Sequence, residues 1–209
     1  IKEYINTLKS GFALFANQFL PNLYNNSTTF ILGLYSSDFA VGLLSTAKFV
    51  SEISNMVISM LSRTFFPFLN RNFEKHYIYR NIVLVVSISM CILMFLFAGI
   101  ISNLLVHNSV SEVTLLIRIL TFGTLGFGLM SIYGNNFLII KKQDKLVMKI
   151  TFYISILGFI TSFIFVSLFN VNGAAINLSF TRIAYGIVFL FFYWKMSNNI
   201  SSKIKFKNT

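Results

Sequence analysis

The sequence predicts an all-α protein, a polytopic transmembrane helix bundle of about six helices. The first observation is the residue composition: hydrophobic residues make up 56% of the 209 residues and charged residues only 11%. The second is the mean hydropathy of +0.74. A soluble domain carries about a quarter charged residues, because its surface faces water. The third observation is that most basic residues are confined to alternate connections between apolar stretches.

Six apolar stretches are long enough to cross a bilayer, which takes ~20 residues for ~30 Å of hydrocarbon. They run over residues 10–35, 39–61, 81–106, 113–140, 146–169 and 173–194. Pro21 interrupts the first, Lys48 and Glu52 lie in the second, and the third is the most uniformly apolar. Arg118 and a glycine-rich centre lie in the fourth, and Arg182 lies in the sixth. Residues 1–209 are therefore predicted to form a single transmembrane domain.

The Lys and Arg residues indicate how the helices are oriented. The turns at 36–38, 107–109 and 170–172 contain none, whereas the alternate connections and both ends of the chain are basic. Of the 17 basic residues, only three lie inside apolar stretches. Because cytoplasmic loops carry the excess of Lys and Arg, we expect both ends in the cytoplasm. The net charge of +11 then reflects topology beside anionic headgroups, and nothing else favours nucleic-acid binding.

Four ionisable residues stand inside the apolar stretches: Lys48, Glu52, Arg118 and Arg182. Each costs ~2.5–3.5 kcal/mol at mid-helix if it faces lipid, so such residues normally face the bundle interior or a cavity. From the helical rise, Lys48 and Arg182 lie ~15 Å from the outer side. Arg118 is nearer that side, at ~9 Å, and Glu52 is deeper, at ~21 Å. Three cations against one carboxylate leave a net charge of +2, which suits a phosphate or pyrophosphate.

Each of these residues also has a purely structural interpretation. Lys48 and Glu52 are spaced i, i+4 and can pair, which neutralises both charges. Arg118 is near enough to the outer interface to snorkel toward it. Arg182 has no acidic residue within one turn of its own helix, so a structural role explains it least well. Substrate binding is predicted for all three cations, and Glu52 is the candidate for ion coupling.

Two further features bear on flexibility and packing. Pro21 removes a backbone hydrogen bond in mid-helix, and it is either a hinge that opens a cavity to alternate sides or a static kink. Gly123, Gly126 and Gly128 form a small-residue patch in the fourth span. Such a patch predicts close packing against another helix, with flexibility as the lesser role.

The sequence offers little for catalysis. It has two His and six acidic residues, with no nucleophile-elbow, phosphate-loop or metal-ligand spacing. We therefore expect no enzymatic activity, no cofactor and no metal site. The single cysteine, Cys91, lies in an apolar run and is interpreted as packing filler.

Several stretches resemble one family of membrane transporters. Polysaccharide-repeat (O-antigen type) flippases are similar to this chain at LGLY (32–35), AVGLLSTAK (40–48) and FFP (65–67). The later helices of the same family are similar to GNNFLI (134–139) and VNGAAI (171–176). These flippases belong to the multidrug/oligosaccharidyl-lipid/polysaccharide exporter superfamily, and the similarity spans nearly the whole chain.

The resemblance implies an architecture and a function. Members have two six-helix lobes around a central cavity, and this chain resembles the C-terminal lobe. It begins with Ile1 rather than Met, so we expect a piece of a longer protein. Such flippases use an ion gradient to move undecaprenyl-pyrophosphate-linked oligosaccharide across the bacterial cytoplasmic (inner) membrane, for lipopolysaccharide and other surface polysaccharides. Cations in the cavity hold the headgroup, a role that the resemblance transfers to Lys48, Arg118 and Arg182.

The expected partners are the lipid-linked oligosaccharide, membrane lipids, an N-terminal lobe of the same protein and a polysaccharide polymerase. Two alternatives stay open. A cation-coupled multidrug exporter of the same superfamily should favour carboxylates in its cavity for cationic drugs. A non-transporting scaffold of a glycan-assembly complex should keep its function when the intramembrane charges are removed.

Overall fold

The computed structural model describes residues 25–205 of the chain, and every regular element in that range is helical. Helix α1 occupies residues 25–35, and α2 runs over Asp38–Arg71. A 3₁₀ turn at Phe73–Lys75 leads into α3 at His76–Leu105. Helix α4 covers Val110–Leu129 and continues as a π-helical segment at Met130–Leu138, and α5 covers Asp144–Lys205. The prediction of an all-α protein is confirmed for these residues.

Helix α5 is a helical hairpin, because the chain reverses at Asn170. This residue has φ 55° and ψ −130°, which no α-helix contains. Side chains pair across the reversal: the Thr161 hydroxyl donates to Asn177 Oδ1 at 2.6 Å, and Ser155 Oγ lies 2.7 Å from the Tyr185 hydroxyl. The two halves of α5, before and after Asn170, therefore pack antiparallel.

The other helices also alternate in direction. Ser102 and Thr114 hydrogen-bond near the connection between α3 and α4, and Tyr79 reaches Ser131 at 2.8 Å near the far ends of those helices. The rings of Phe73 and Phe137 lie 5.4 Å apart, so the α2–α3 connection meets the end of the π segment. We call this the basic end, because it carries the following Lys and Arg residues: Arg71, Lys75, Arg80, Lys141, Lys142 and Lys145.

Three stretches are long and apolar enough to cross a membrane: Phe73–Leu105, Val110–Leu138 and Asp144–Ser197. The predicted number of about six spans is not confirmed. Helix α2 has 34 residues but is not among the three, because charged and polar side chains such as Lys48 and Glu52 lower its hydropathy. The predicted first span, 10–35, lies mostly outside the described residues.

Polar and apolar side chains are distributed as in a membrane protein. Large apolar side chains stand on the outside, including Leu96 at 66% and Leu104 at 80% exposed. Polar residues lie inside: Asn136 and Asn177 are fully buried, and Arg182 is only 4% exposed. A soluble protein of this size does not expose so much apolar surface. These helices are compatible with a chain embedded in lipid.

The glycine patch of α4 packs tightly, as predicted. A Cβ placed on Gly126 would lie 2.5 Å from the carbonyl carbon of Arg182 in the second half of α5. A Cβ on Gly123 would lie 3.1 Å from the Arg182 Cδ atom, and Gly128 faces Ser87 of α3. Close packing between helices is therefore the role of these three glycines. They also bring the backbone of α4 against the residue that anchors the candidate site.

Candidate functional site

The site is built where α2, α4 and the second half of α5 meet. Helix α5 places Arg182 on its inner face, between the glycines of α4 and the polar face of α2. Because Gly123 has no side chain, the aliphatic stem of Arg182 passes over α4 at close range. The guanidinium is thus carried across to α2. The prediction that Arg182 faces the bundle interior is confirmed by its 4% exposure.

Two residues of α2 bind the Arg182 guanidinium. Its Nη1 donates to Ser51 Oγ at 2.9 Å, and its Nη2 lies 2.5 Å from Glu52 Oε1. The other carboxylate oxygen of Glu52 accepts a hydrogen bond from Asn55 Nδ2 at 3.2 Å. The Glu52 side chain is 44% exposed, whereas that of Arg182 is almost fully buried. The carboxylate is therefore the accessible side of this ion pair.

The pairing differs from the one that helical spacing suggests. Lys48 and Glu52 are one turn apart on α2, and the sequence allows them to neutralise each other. In the structure, Arg182 is the ion-pair partner of Glu52, and Lys48 turns toward α1 instead. One nitrogen of the planar guanidinium binds the Glu52 carboxylate and the other binds the neighbouring Ser51 hydroxyl. The acidic partner of Arg182 comes from another helix, so no inspection of α5 alone could find it.

Lys48 has no ion-pair partner among the residues that the structure describes. Its Nζ donates to the backbone carbonyl of Asn25 and to the Thr29 hydroxyl, both at 3.0 Å. These two acceptors on α1 are neutral, and an ammonium has three protons to donate. Lys48 is half-buried, so its charge is partly shielded from solvent, and no carboxylate in the described part of the chain neutralises it.

Arg118 lies apart from this cluster. It is exposed on the outer face of α4, with its guanidinium carbon 5.3 Å from the centre of the Phe95 ring. The Phe95 ring in turn packs edge-on against Phe122 at 6.0 Å. A cation over an aromatic face is stabilised there without a carboxylate. The structure therefore brings together Lys48, Glu52 and Arg182, and it does not bring Arg118 to them.

Sequence inspection missed the polar residues that support these charges. On α2, residues 48, 51, 52 and 55 follow the helical spacing i, i+3, i+4, i+7 and form one polar stripe. Ser51 and Asn55 belong to it, and both are buried. The stripe was visible in the sequence as polar residues at helical spacing. The proline hinge candidate, Pro21, lies outside the described residues.

The cluster of Lys48, Glu52 and Arg182 is net positive, and it is exposed at Glu52. Lys48 and Arg182 against Glu52 leave one net positive charge, which is less than the +2 expected when Arg118 was counted. Lys48, one turn before Glu52 on α2, carries the charge that no carboxylate of the described residues pairs with. The Arg182 guanidinium is buried and already bound to Ser51 and Glu52. The sign of the cluster suits an anion, and the exposed part of the ion pair is the Glu52 carboxylate.

Comparison with protein-family models, with curated proteins and with solved structures finds no match to this chain.

Proposed function

We propose that the chain is one lobe of a membrane flippase that translocates undecaprenyl-pyrophosphate-linked oligosaccharide for surface polysaccharide assembly. The observation that supports this most is the net positive cluster of Lys48, Glu52 and Arg182 inside an apolar helix bundle. Charges at such positions cost kilocalories in lipid, and a pyrophosphate headgroup matches their sign. The resemblance to polysaccharide-repeat flippases, noted at residues 32–48 and 134–139, supports the same function.

In this proposal Lys48 makes the first contact with the headgroup, because no carboxylate among residues 25–205 neutralises it. Arg182 acts second. Its ion pair with Glu52 holds the buried guanidinium when no substrate is bound, and the phosphate oxygens replace the carboxylate when the headgroup enters. Protonation of Glu52 favours that exchange, since a neutral carboxyl binds a guanidinium more weakly. Glu52 thereby links proton uptake to headgroup binding.

The proposed orientation follows from the basic residues. The basic end faces the cytoplasm, where the anionic leaflet attracts Lys and Arg, and both ends of the chain lie on that side. The protein resides in the bacterial cytoplasmic membrane. An N-terminal lobe completes the cavity on the open side of Glu52, and a polysaccharide polymerase uses the delivered repeat units.

The test is restoration of surface glycan in a strain that lacks its O-antigen flippase. The full-length protein carries Arg182→Ala or Arg182→Lys, at matched membrane expression. We expect Arg182→Ala to restore very little glycan and Arg182→Lys to restore part of it, because Lys keeps the charge but lacks the planar fork of donors. Arg118→Ala is the matched control and should restore glycan fully. Full restoration by Arg182→Ala contradicts the proposal.

A cation-coupled multidrug exporter of the same superfamily is the second candidate. The partly exposed carboxylate of Glu52 is the observation that favours it, because a cationic drug would bind there. This alternative predicts that the protein restores drug resistance to an exporter-deficient strain and that Glu52→Gln removes that resistance.

A non-transporting scaffold predicts a third result, in which every charge variant restores surface glycan as well as the unchanged protein.

A further inference from the structure

A cavity lies at the basic end, away from the charged cluster of α2 and α5. Its volume is about 300 Å³, and its wall includes Arg80, Lys141, His76, Phe137 and Tyr193. These residues come from the start of α3, from the π segment and the turn after it, and from the second half of α5. We call it the basic-end pocket. It forms at the meeting of three chain segments, so it is a feature of the tertiary fold rather than of one helix.

The aromatic side chains of this pocket pack against one another and against His76. The Tyr193 ring lies 4.7 Å from Phe137 and 6.5 Å from the buried imidazole of His76. His76 Nε2 lies 3.2 Å from the backbone carbonyl of Ile132 in the π segment, so it donates a hydrogen bond to that oxygen. π-helical turns occur frequently at functional sites, because they redirect backbone carbonyls and side chains. Here the π turn supplies both the histidine's acceptor and Phe137.

The charges of the pocket are not neutralised by ion pairs. Lys141 Nζ lies 3.6 Å from the centre of the Phe73 ring, and Arg80 Nε donates to Asn81 Oδ1 at 3.3 Å. Neither cation forms an ion pair with a carboxylate in the described part of the chain. Among the described residues Glu74 is the single acidic one on the wall, and against Arg80 and Lys141 it leaves a net charge of +1. An aromatic ring holds the ammonium in place while its protons stay available.

We infer that the basic-end pocket binds a phosphate group, and that its source is the headgroup of an anionic phospholipid. Two cations on the pocket wall match a phosphate, and the aromatic side accommodates the glycerol and the first acyl carbons. Basic pockets between membrane helices on the cytoplasmic side are suited to such headgroups. The site lies outside the proposed substrate cluster, and this inference rests on the proposed orientation but not on flippase activity. A soluble phosphate ester offers the same chemistry, and the experiment separates the two sources.

The chain carries its own reporter for this test. Trp194 is the sole tryptophan, is 65% exposed, and follows Tyr193 of the pocket wall. The protein is reconstituted in bilayers that contain brominated phosphatidylglycerol or brominated phosphatidylcholine at the same mole fraction, and quenching of Trp194 fluorescence is measured. We expect stronger quenching by phosphatidylglycerol. The double variant Arg80→Gln/Lys141→Gln should lose that preference.

The matched control is Arg71→Gln/Lys145→Gln, which removes the same charge from exposed positions of the basic end but not from the pocket wall. It should keep the preference. Quenching by brominated phosphatidylcholine and the helical circular dichroism should be equal in all three proteins, which shows that each is folded and inserted. Equal loss of preference in both double variants, or no preference in the unchanged protein, overturns the inference.

The last arm identifies the source of the phosphate. Glycerol 3-phosphate is added to the unchanged protein in phosphatidylglycerol bilayers, against potassium chloride of equal ionic strength. If it leaves the preference intact, the lipid headgroup is the ligand. If glycerol 3-phosphate removes the preference and the salt does not, the pocket binds a phosphate group, but the soluble ester is its ligand and the assignment to a lipid headgroup is wrong.

Discussion

Replacing Gly126 by alanine tests the packing that positions Arg182. The new Cβ would lie 2.5 Å from the carbonyl carbon of Arg182, so α4 and α5 must separate by roughly 0.9 Å to reach the 3.4 Å of an ordinary contact. Overpacking of this kind costs ~1–3 kcal/mol, and alanine returns up to ~1 kcal/mol through its higher helix propensity. We expect a net loss of about 1–2 kcal/mol in the free energy of unfolding.

Gly99→Ala in α3 is the control, because nothing lies within 4 Å of a Cβ placed there. It gains the same propensity without a clash, so it should be neutral or stabilising by up to ~1 kcal/mol. The assay is reversible unfolding by sodium dodecyl sulfate in mixed micelles, followed by circular dichroism. Equal stability of the Gly126→Ala and Gly99→Ala proteins would refute the close approach of α4 to α5.

Two further predictions concern the ion pair and the topology. Glu52→Gln removes the carboxylate beside a buried guanidinium. Breaking an exposed ion pair lowers the free energy of unfolding by ~0.2–1 kcal/mol, and breaking a buried one lowers it by ~3–5 kcal/mol. Because the Glu52 side chain is 44% exposed, we expect a loss of about 1–2 kcal/mol in the same unfolding assay. If Glu52 also couples protons, the variant loses the pH dependence of transport, whereas a structural carboxylate leaves it unchanged. Single cysteines at Ser37, Ser109 and Asn172 should react with an impermeant thiol reagent added outside cells, and one at Gln143 should not, because basic connections stay inside. Labelling at Gln143 in intact cells would reverse the proposed orientation.

The sequence predicted what depends on composition and local pattern. Low charge content predicted helices compatible with a membrane, and the spacing of Gly123, Gly126 and Gly128 predicted close packing. The cost of a charge in lipid predicted that Arg182 faces inward. Each of these inferences needs only the residue and its own helix, which is why it succeeds without knowledge of the tertiary fold.

The choice of partners could not be predicted in the same way. Glu52 has Lys48 one turn away on its own helix, yet it pairs with Arg182, because the packing of α4 against α5 brings that guanidinium across to α2. Arg118 was predicted to bind substrate with the other two cations, although its shallower position also allowed it to snorkel, and the direction of its side chain removes it from the cluster. The basic-end pocket needs three segments that are distant in the chain, so no local pattern reveals it.

The central claim is that the interior cations bind an anionic lipid-linked sugar. The most direct measurement is the rate at which the full-length protein, in proteoliposomes, flips a lipid pyrophosphate-linked oligosaccharide. We predict that Lys48→Gln lowers this rate about tenfold or more, since a hydrogen bond to a charged group is worth ~1.5–3 kcal/mol and ~1.4 kcal/mol is a factor of ten. Arg118→Gln, which removes an equal charge from the outer face, should keep the rate. An unchanged rate for Lys48→Gln, or an equal loss in both variants, would contradict the account.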